Sequence, residues 1–157
     1  MRPTGFTLME MMVVVGIIAI LALMMVPAYI DRIIRNQITE ALPLADVAKQ
    51  PIEKAWKLVH ALPPDNASAG LPVPSKVVSN YVSAVRVEDG AIHMTFGNRA
   101  HNQIRNQVLT LRPAIVSDAP IVPIAWVCGY ASVPGNMTAQ GENRTSIPSG
   151  YLPLQCR

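Results

Sequence analysis

Glu10 is the only charged side chain between Arg2 and Asp31. It stands at the head of a long apolar run, TGFTLMEMMVVVGIIAILALMMVPAY, shortly after a Gly5-Phe6 junction. A carboxylate near the middle of a membrane span costs roughly 2.5–3.5 kcal/mol on insertion scales, so where one occurs it is expected to serve a purpose. A segment acting only as an anchor has no use for it. Glu10 is therefore expected to meet a positive group in some assembled state. Were the chain cut between Gly5 and Phe6, the new α-amino group of Phe6 would lie four residues from Glu10. That is within reach in the same chain or in a neighbouring copy.

The remaining chemistry-bearing residues are scattered. Cys128 and Cys156 are the only thiols, and their spacing matches no zinc or redox motif. Two unpaired buried thiols or one bond between them both fit that spacing. His60, His93 and His101 are isolated, with no pair at metal-ligand spacing. His93 alternates with apolar neighbours and is expected to face solvent. Ser79, Ser83, Ser117 and Ser132 lack a nucleophile-elbow context, and Asp118 and Glu142 lack the carboxylate density of a calcium site. No catalytic residue, metal site or cofactor is expected. Asn66, Asn136 and Asn143 open Asn-x-Ser/Thr triplets, a motif short enough to arise by chance. Arg86, Arg99, Arg105 and Arg112 could contact nucleic-acid phosphates, which makes DNA a conceivable partner. They are dispersed among Glu88, Asp89 and Asp118 without an aromatic platform, so a solvated face is the ordinary explanation.

The elements that must position these residues follow from patterning. A chain of 157 residues fits one domain. A long N-terminal helix would leave about a hundred residues for a globular core, a size that profits from a covalent staple. The net charge of +3 is small and scattered, which argues against a dedicated polyanion binder. An ordinary signal peptide has an apolar core of about 7–15 residues and then an Ala-x-Ala-like site. Here the apolar stretch from Met11 to Ala28 is longer and no such site follows. Counting Phe6 to Leu8, it reaches the ~20 residues that cross a bilayer. An uncleaved anchor is the competing reading.

Beyond the span, Ile30, Ile33, Ile34, Ile38, Ala41 and Leu42 recur at helical steps, while Asp31, Arg32, Arg35 and Gln37 take other faces. Pro27, Pro43 and Pro51 interrupt the pattern, and kinks or local melting are expected there. Gly16 and Pro27 mark a section that could unwind when copies pack. A last amphipathic stretch runs from Ile52 to Leu62, with Ile52, Trp56, Val59 and Leu62 facing the core. PPDNASAGLPVPS reads as a surface loop. YVSAVRVE and AIHMTF flank Asp89-Gly90, a hairpin signal. QVLTLRP and PIAWVC supply two more strands, with Pro120 and Pro123 suited to an edge or a strand start. Gly129 to Leu154 reads as loop. The fold class is α+β: a long N-terminal helix packed on a four-stranded antiparallel sheet.

The stretch from Gly5 to about Glu40 resembles the N-terminus of type IV pilins: a short leader ending in Gly, then Phe-Thr-Leu-x-Glu, then a hydrophobic helix. Pro27, Tyr29 and IIRNQITEAL match that pattern's continuation, and IAWVC with the final IPSGYLPLQCR resembles the major-pilin branch. The resemblance implies a leader over residues 1–5, a transmembrane and assembly helix over 6–30 and a helix continuation over 31–62. It then implies an αβ loop over 63–79, the sheet over 80–128 and a C-terminal loop region over 129–157. It also implies cleavage between Gly5 and Phe6 by a prepilin peptidase, N-methylation of Phe6 and a role for Glu10 in assembly. With the head outside the membrane, a Cys128–Cys156 disulfide is expected; by the chain-entropy model, closing a loop of about 29 residues contributes roughly 3.5 kcal/mol. Lys and Arg counts alone would favour the opposite orientation, so this one comes from the resemblance.

The implied function is that of a structural subunit, not an enzyme. It would polymerise with copies of itself from the inner membrane, through an inner-membrane assembly platform, into a pilus on the bacterial surface. Adhesion, twitching motility and DNA uptake are properties of such fibres. A minor pilin, a type II secretion pseudopilin and a single-span membrane-anchored enzyme are the competing readings.

Overall fold

The computed structural model describes residues 5–157; the expected leader residues 1–4 lie outside them, as do the side chains of 26–28 and with them that of Pro27. The chain divides into two compact units at Ile33/Ile34.

The first unit is helical. Helix α1 spans Leu8–Ala41, and its last turns belong to the second unit. Every side chain from Leu8 to Met25 is exposed. The most apolar 18-residue window has a mean hydropathy of 2.7, and none of it is buried within the chain. Apolar residues occupy all sides of this helix, a pattern that one chain in water leaves unsatisfied. The backbone stays helical through Gly16 and Pro27. One proline removes a single bond of the ladder and leaves those on either side in place.

In the second unit, α1 ends in a 3₁₀ turn at Leu42–Ala45 that contains Pro43, and α2 follows at Asp46–Val59. Ile34, Ile38, Ala41, Ala45, Ala48, Ile52 and Trp56 are buried. Their three- and four-residue steps form one apolar stripe that continues across the 3₁₀ turn. Pro43 thus tightens the helix for one turn, whereas Pro51 sits inside α2 without ending it. His60 ends α2 with a left-handed φ of 53° while its N–H donates to the Trp56 carbonyl at 3.1 Å. The stretch therefore stops short of Leu62, and Val59 is exposed instead of facing the core. Leu62, past the cap, packs beside Gly90, where an added Cβ would lie 2.9 Å from Leu62 Cδ1.

Four antiparallel strands follow in spatial order: β1 Val82–Glu88, β2 Ala91–Phe96, β3 Val108–Ile115 and β4 Ala125–Cys128. Asp89 and Gly90 both take positive φ, 47° and 79°, as a two-residue hairpin turn requires. Val85, Val87, Ile92, Met94, Leu109 and Leu111 are buried and share one face by register. The Trp126 indole N–H donates to Glu53 Oε1 at 2.8 Å, tying β4 to α2.

Two features go beyond the expected sheet. Strand β3 continues past Pro113 to Ile115. The last β2–β3 pair is Ile92 with Leu111, so by Pro113 no β2 donor or acceptor is left to need its missing N–H. A short fifth strand, β5 Thr138–Ala139, pairs with Ala114 and Ile115. The other face of the sheet is also covered. His93, expected to face solvent, is 5% exposed, and Thr110 is fully buried. Alternation marks solvent only where nothing lies over the face, and here Gly141–Ser146 does: an added Cβ on Gly141 would lie 2.6 Å from Ala91 Cβ.

Candidate functional site

Gly5 and Phe6 are exposed, and they precede helix α1 in non-helical backbone. Thr7 and Glu10 then close the helix start on each other. The Glu10 backbone N–H donates to Thr7 Oγ1 at 3.2 Å, while the Thr7 backbone N–H and hydroxyl both donate to Glu10 Oε2 at 3.0 Å. This is a capping box, which satisfies helix-start donors reciprocally. In the uncut chain Glu10 is thus held by Thr7, and among the described residues it forms no ion pair. The sequence reading singled out Glu10 and missed Thr7. The signal was present as Thr-x-x-Glu before an apolar run.

Gly16 lies mid-helix, and an added Cβ there would meet nothing within 4 Å. Glycine in a helix interior is less stable than alanine by roughly 0.5–1 kcal/mol, and nothing among the described residues accounts for it.

The second cluster lies at the far end of the chain. Cys128 and Cys156 are disulfide-bonded, with Cα atoms 4.5 Å apart and both residues buried. Gly129 follows with φ +57°, and an added Cβ would lie 2.5 Å from the Cys156 carbonyl oxygen. That carbonyl accepts the Tyr130 N–H at 3.0 Å, so the strand end and the chain end interlock at backbone level. Arg35 Nε and Nη2 donate to the Gly150 carbonyl at 3.1 and 2.8 Å, joining α1 to the same terminal segment.

The four arginines weighed for nucleic acid sit on β1, the β2–β3 connection and β3. Arg86 pairs with Glu88 at 3.5 Å, and Arg105 donates to the Ala100 carbonyl. Among the described residues no group of three His, Cys, Asp or Glu side chains could hold a metal. Two of the Asn-x-Ser/Thr asparagines are structural. Asn66 is buried, donating to the Pro72 and Val85 carbonyls and accepting the Val87 N–H. Asn143 donates to the Gly129 carbonyl and accepts from Thr145.

Comparison with known proteins agrees with both ends of this geometry. The Pilin family (bacterial filament) matches residues 35–157, and the prokaryotic N-terminal methylation motif matches residues 1–26. The chain is 33% identical over 159 residues to the type IV major pilin protein PilE1 of Neisseria gonorrhoeae, covering 98% of this chain and 86% of that protein. It is 39% identical over 156 residues to the fimbrial protein EcpC of Eikenella corrodens, covering 98% and 90%. It is 33% identical over 167 residues to fimbrial protein Q of Moraxella bovis, covering 98% and 96%. An apolar helix that buries nothing in its own chain, joined to a disulfide-closed α+β unit, is the build of a filament subunit, and the chain belongs to the type IV pilin family.

Proposed function

We propose that this chain is the major structural subunit of a type IV pilus and polymerises through the Phe6–Ile30 segment. The observation that carries the reading is the fully exposed apolar surface from Leu8 to Met25 with Glu10 as its one charge. A prepilin peptidase would cut between Gly5 and Phe6, where the chain is exposed and not yet helical. The Phe6 amine, cationic even after N-methylation, then lies close enough to Glu10 to compete with Thr7 for its carboxylate.

Leaving lipid for a helical bundle gains little hydrophobic free energy, because lipid is already apolar. Close packing and a satisfied Glu10–amine pair must therefore favour the polymer. The pair also sets register, since a copy docked one step wrong leaves a carboxylate buried and unpaired, a penalty of several kcal/mol. Gly16 and Pro27 bound a stretch of α1 that would unwind or pack closely when copies meet; the unexplained glycine supports this. An inner-membrane assembly platform would take up the processed subunit and deliver it to the surface fibre.

The test is Glu10→Ala in the producing cell. The expected outcome is a processed, membrane-resident subunit with filament yield cut to a small fraction. Normal piliation would overturn the role of Glu10. Intact mass of sheared filaments addresses the rest: the dominant chain should begin at Phe6, carry one added methyl group and lack two hydrogens for the disulfide. A chain still beginning at Met1 would reject processing, and recovery only at trace level would reject the major-subunit reading.

A further inference from the structure

The cover over the outer sheet face is held by groups that converge on one titratable side chain. His93 lies on β2, opposite Arg86 of β1 and Thr110 of β3. Thr110 Oγ1 accepts the Arg144 backbone N–H at 3.1 Å and lies 3.0 Å from His93 Nδ1. With the Arg144 amide donating, the Thr110 hydroxyl hydrogen is free to point at Nδ1. In the neutral tautomer protonated at Nε2, Nδ1 accepts that hydrogen. His93 Nε2 is buried and has no partner among the described residues.

The cover is otherwise fastened by its backbone and by charges on both sides. The Ser146 N–H donates to the Val108 carbonyl at 2.9 Å, and the Thr110 N–H donates to Thr145 Oγ1 at 3.1 Å. The charges acting on His93 are Arg86 and Glu88 from β1 and Glu142 and Arg144 from the cover, with Thr110 of β3 at hydrogen-bond distance and Arg112 two residues further along the same face of β3. Arg144 is paired with both Glu88 and Glu142, and Arg86 with Glu88. The two carboxylates are thus already matched by guanidinium groups, and no spare anion awaits an imidazolium.

A proton on Nδ1 would turn the acceptor of the Thr110 hydroxyl into a second donor. Thr110 Oγ1 would then receive two N–H groups, its own hydrogen would lose its acceptor, and a cation would sit under the cover with Nε2–H unsatisfied. Lifting the cover gives both ring nitrogens water. We propose that protonation of His93 unlatches Gly141–Ser146 from the sheet, which makes this segment an acid-sensitive cover in the pilin head. Consistent with this, burial pushes the His93 pKa down, with Arg144 and Arg86 acting in the same direction and Glu88 and Glu142 opposing. With the cover lifted, the ring titrates near its ordinary value of about 6.5. The open form therefore binds a proton first as pH falls below that value. Closure weakens from there down to the lower pKa of the covered ring and then levels off.

The experiment is hydrogen exchange on the full chain in detergent micelles, following the Arg144 and Ser146 amides at about pH 7.5 and about pH 5, corrected for intrinsic exchange. The expected result is an opening constant that rises below about pH 6.5, by at most about tenfold per pH unit, while α2 amides do not change. His93→Gln keeps a neutral polar side chain, and in it the rise should vanish. Should that variant fail to fold, ring titration of the unaltered chain decides. A His93 midpoint clearly below about 6.5 supports the proposal, and one at or above it overturns the proposal. Equal protection of Arg144 and Ser146 at both pH values, or a pH dependence that persists in the glutamine variant, also overturns it.

Discussion

Helix α1 carries two different surfaces along one element. From Leu8 to Met25 it buries nothing, whereas from Ile34 onward its apolar side recurs at the spacing of a core stripe that α2 extends to Trp56. The head closes on itself: Asn66 satisfies three backbone groups, Trp126 finds Glu53, and the terminal segment is bonded to both a strand and a helix. Among the described residues, the apolar half has only its own helix ladder and the Thr7–Glu10 box. The difference teaches where partners are needed. A surface complete within one chain serves stability, and one left bare serves lipid or other copies.

The comparison can be broken by removing what completes the head. Cys128→Ala with Cys156→Ala should lower the head's unfolding free energy by roughly 2–5 kcal/mol, read from denaturant curves in micelles. The helicity of α1 in those micelles should not change; its collapse with the head would show that the two surfaces are not independent. Asn66→Ala leaves the Val85 carbonyl and Val87 N–H without their side-chain partner, and a loss of roughly 1–3 kcal/mol is expected by the same assay. Trp126→Phe deletes one indole bond to Glu53 and should cost about 1 kcal/mol. Gly16→Ala sharpens the contrast from the other side. Head stability should stay within about 0.5 kcal/mol, while filament yield, counted by electron microscopy, falls. A head destabilised by this substitution would contradict the division.

Much of this was legible in the residues. The Asp89-Gly90 turn, the four main strands and the helical repeat of Ile34, Ile38 and Ala41 all rest on local rules of period and turn chemistry, whereas the continuation of that stripe through Ala45 and Ala48 crosses the interruption expected at Pro43. Glu10 stood out because it is the one carboxylate in an apolar run. What stayed hidden was set by distant parts of the chain. His93 alternates as a solvent-facing residue should, but Gly141–Ser146 covers it from nearly fifty positions away. Val59 fits the helical period, yet the left-handed His60 ends the helix directly after it. Strand β3 passes through Pro113 only because β2 has already finished. Thr7 was legible and overlooked, since its role needed only the spacing to Glu10.

The bond from Arg35 to Gly150 has a mechanical consequence. A pull along α1 reaches the head one residue past Ile34, where the helix already grips the segment that ends at Cys156. Cys156 is welded to the end of β4, so load passing through that grip is shared with a sheet edge through a covalent link. Strand β4 is thus held twice, by its pairing with β3 and by this link to the chain's final turn.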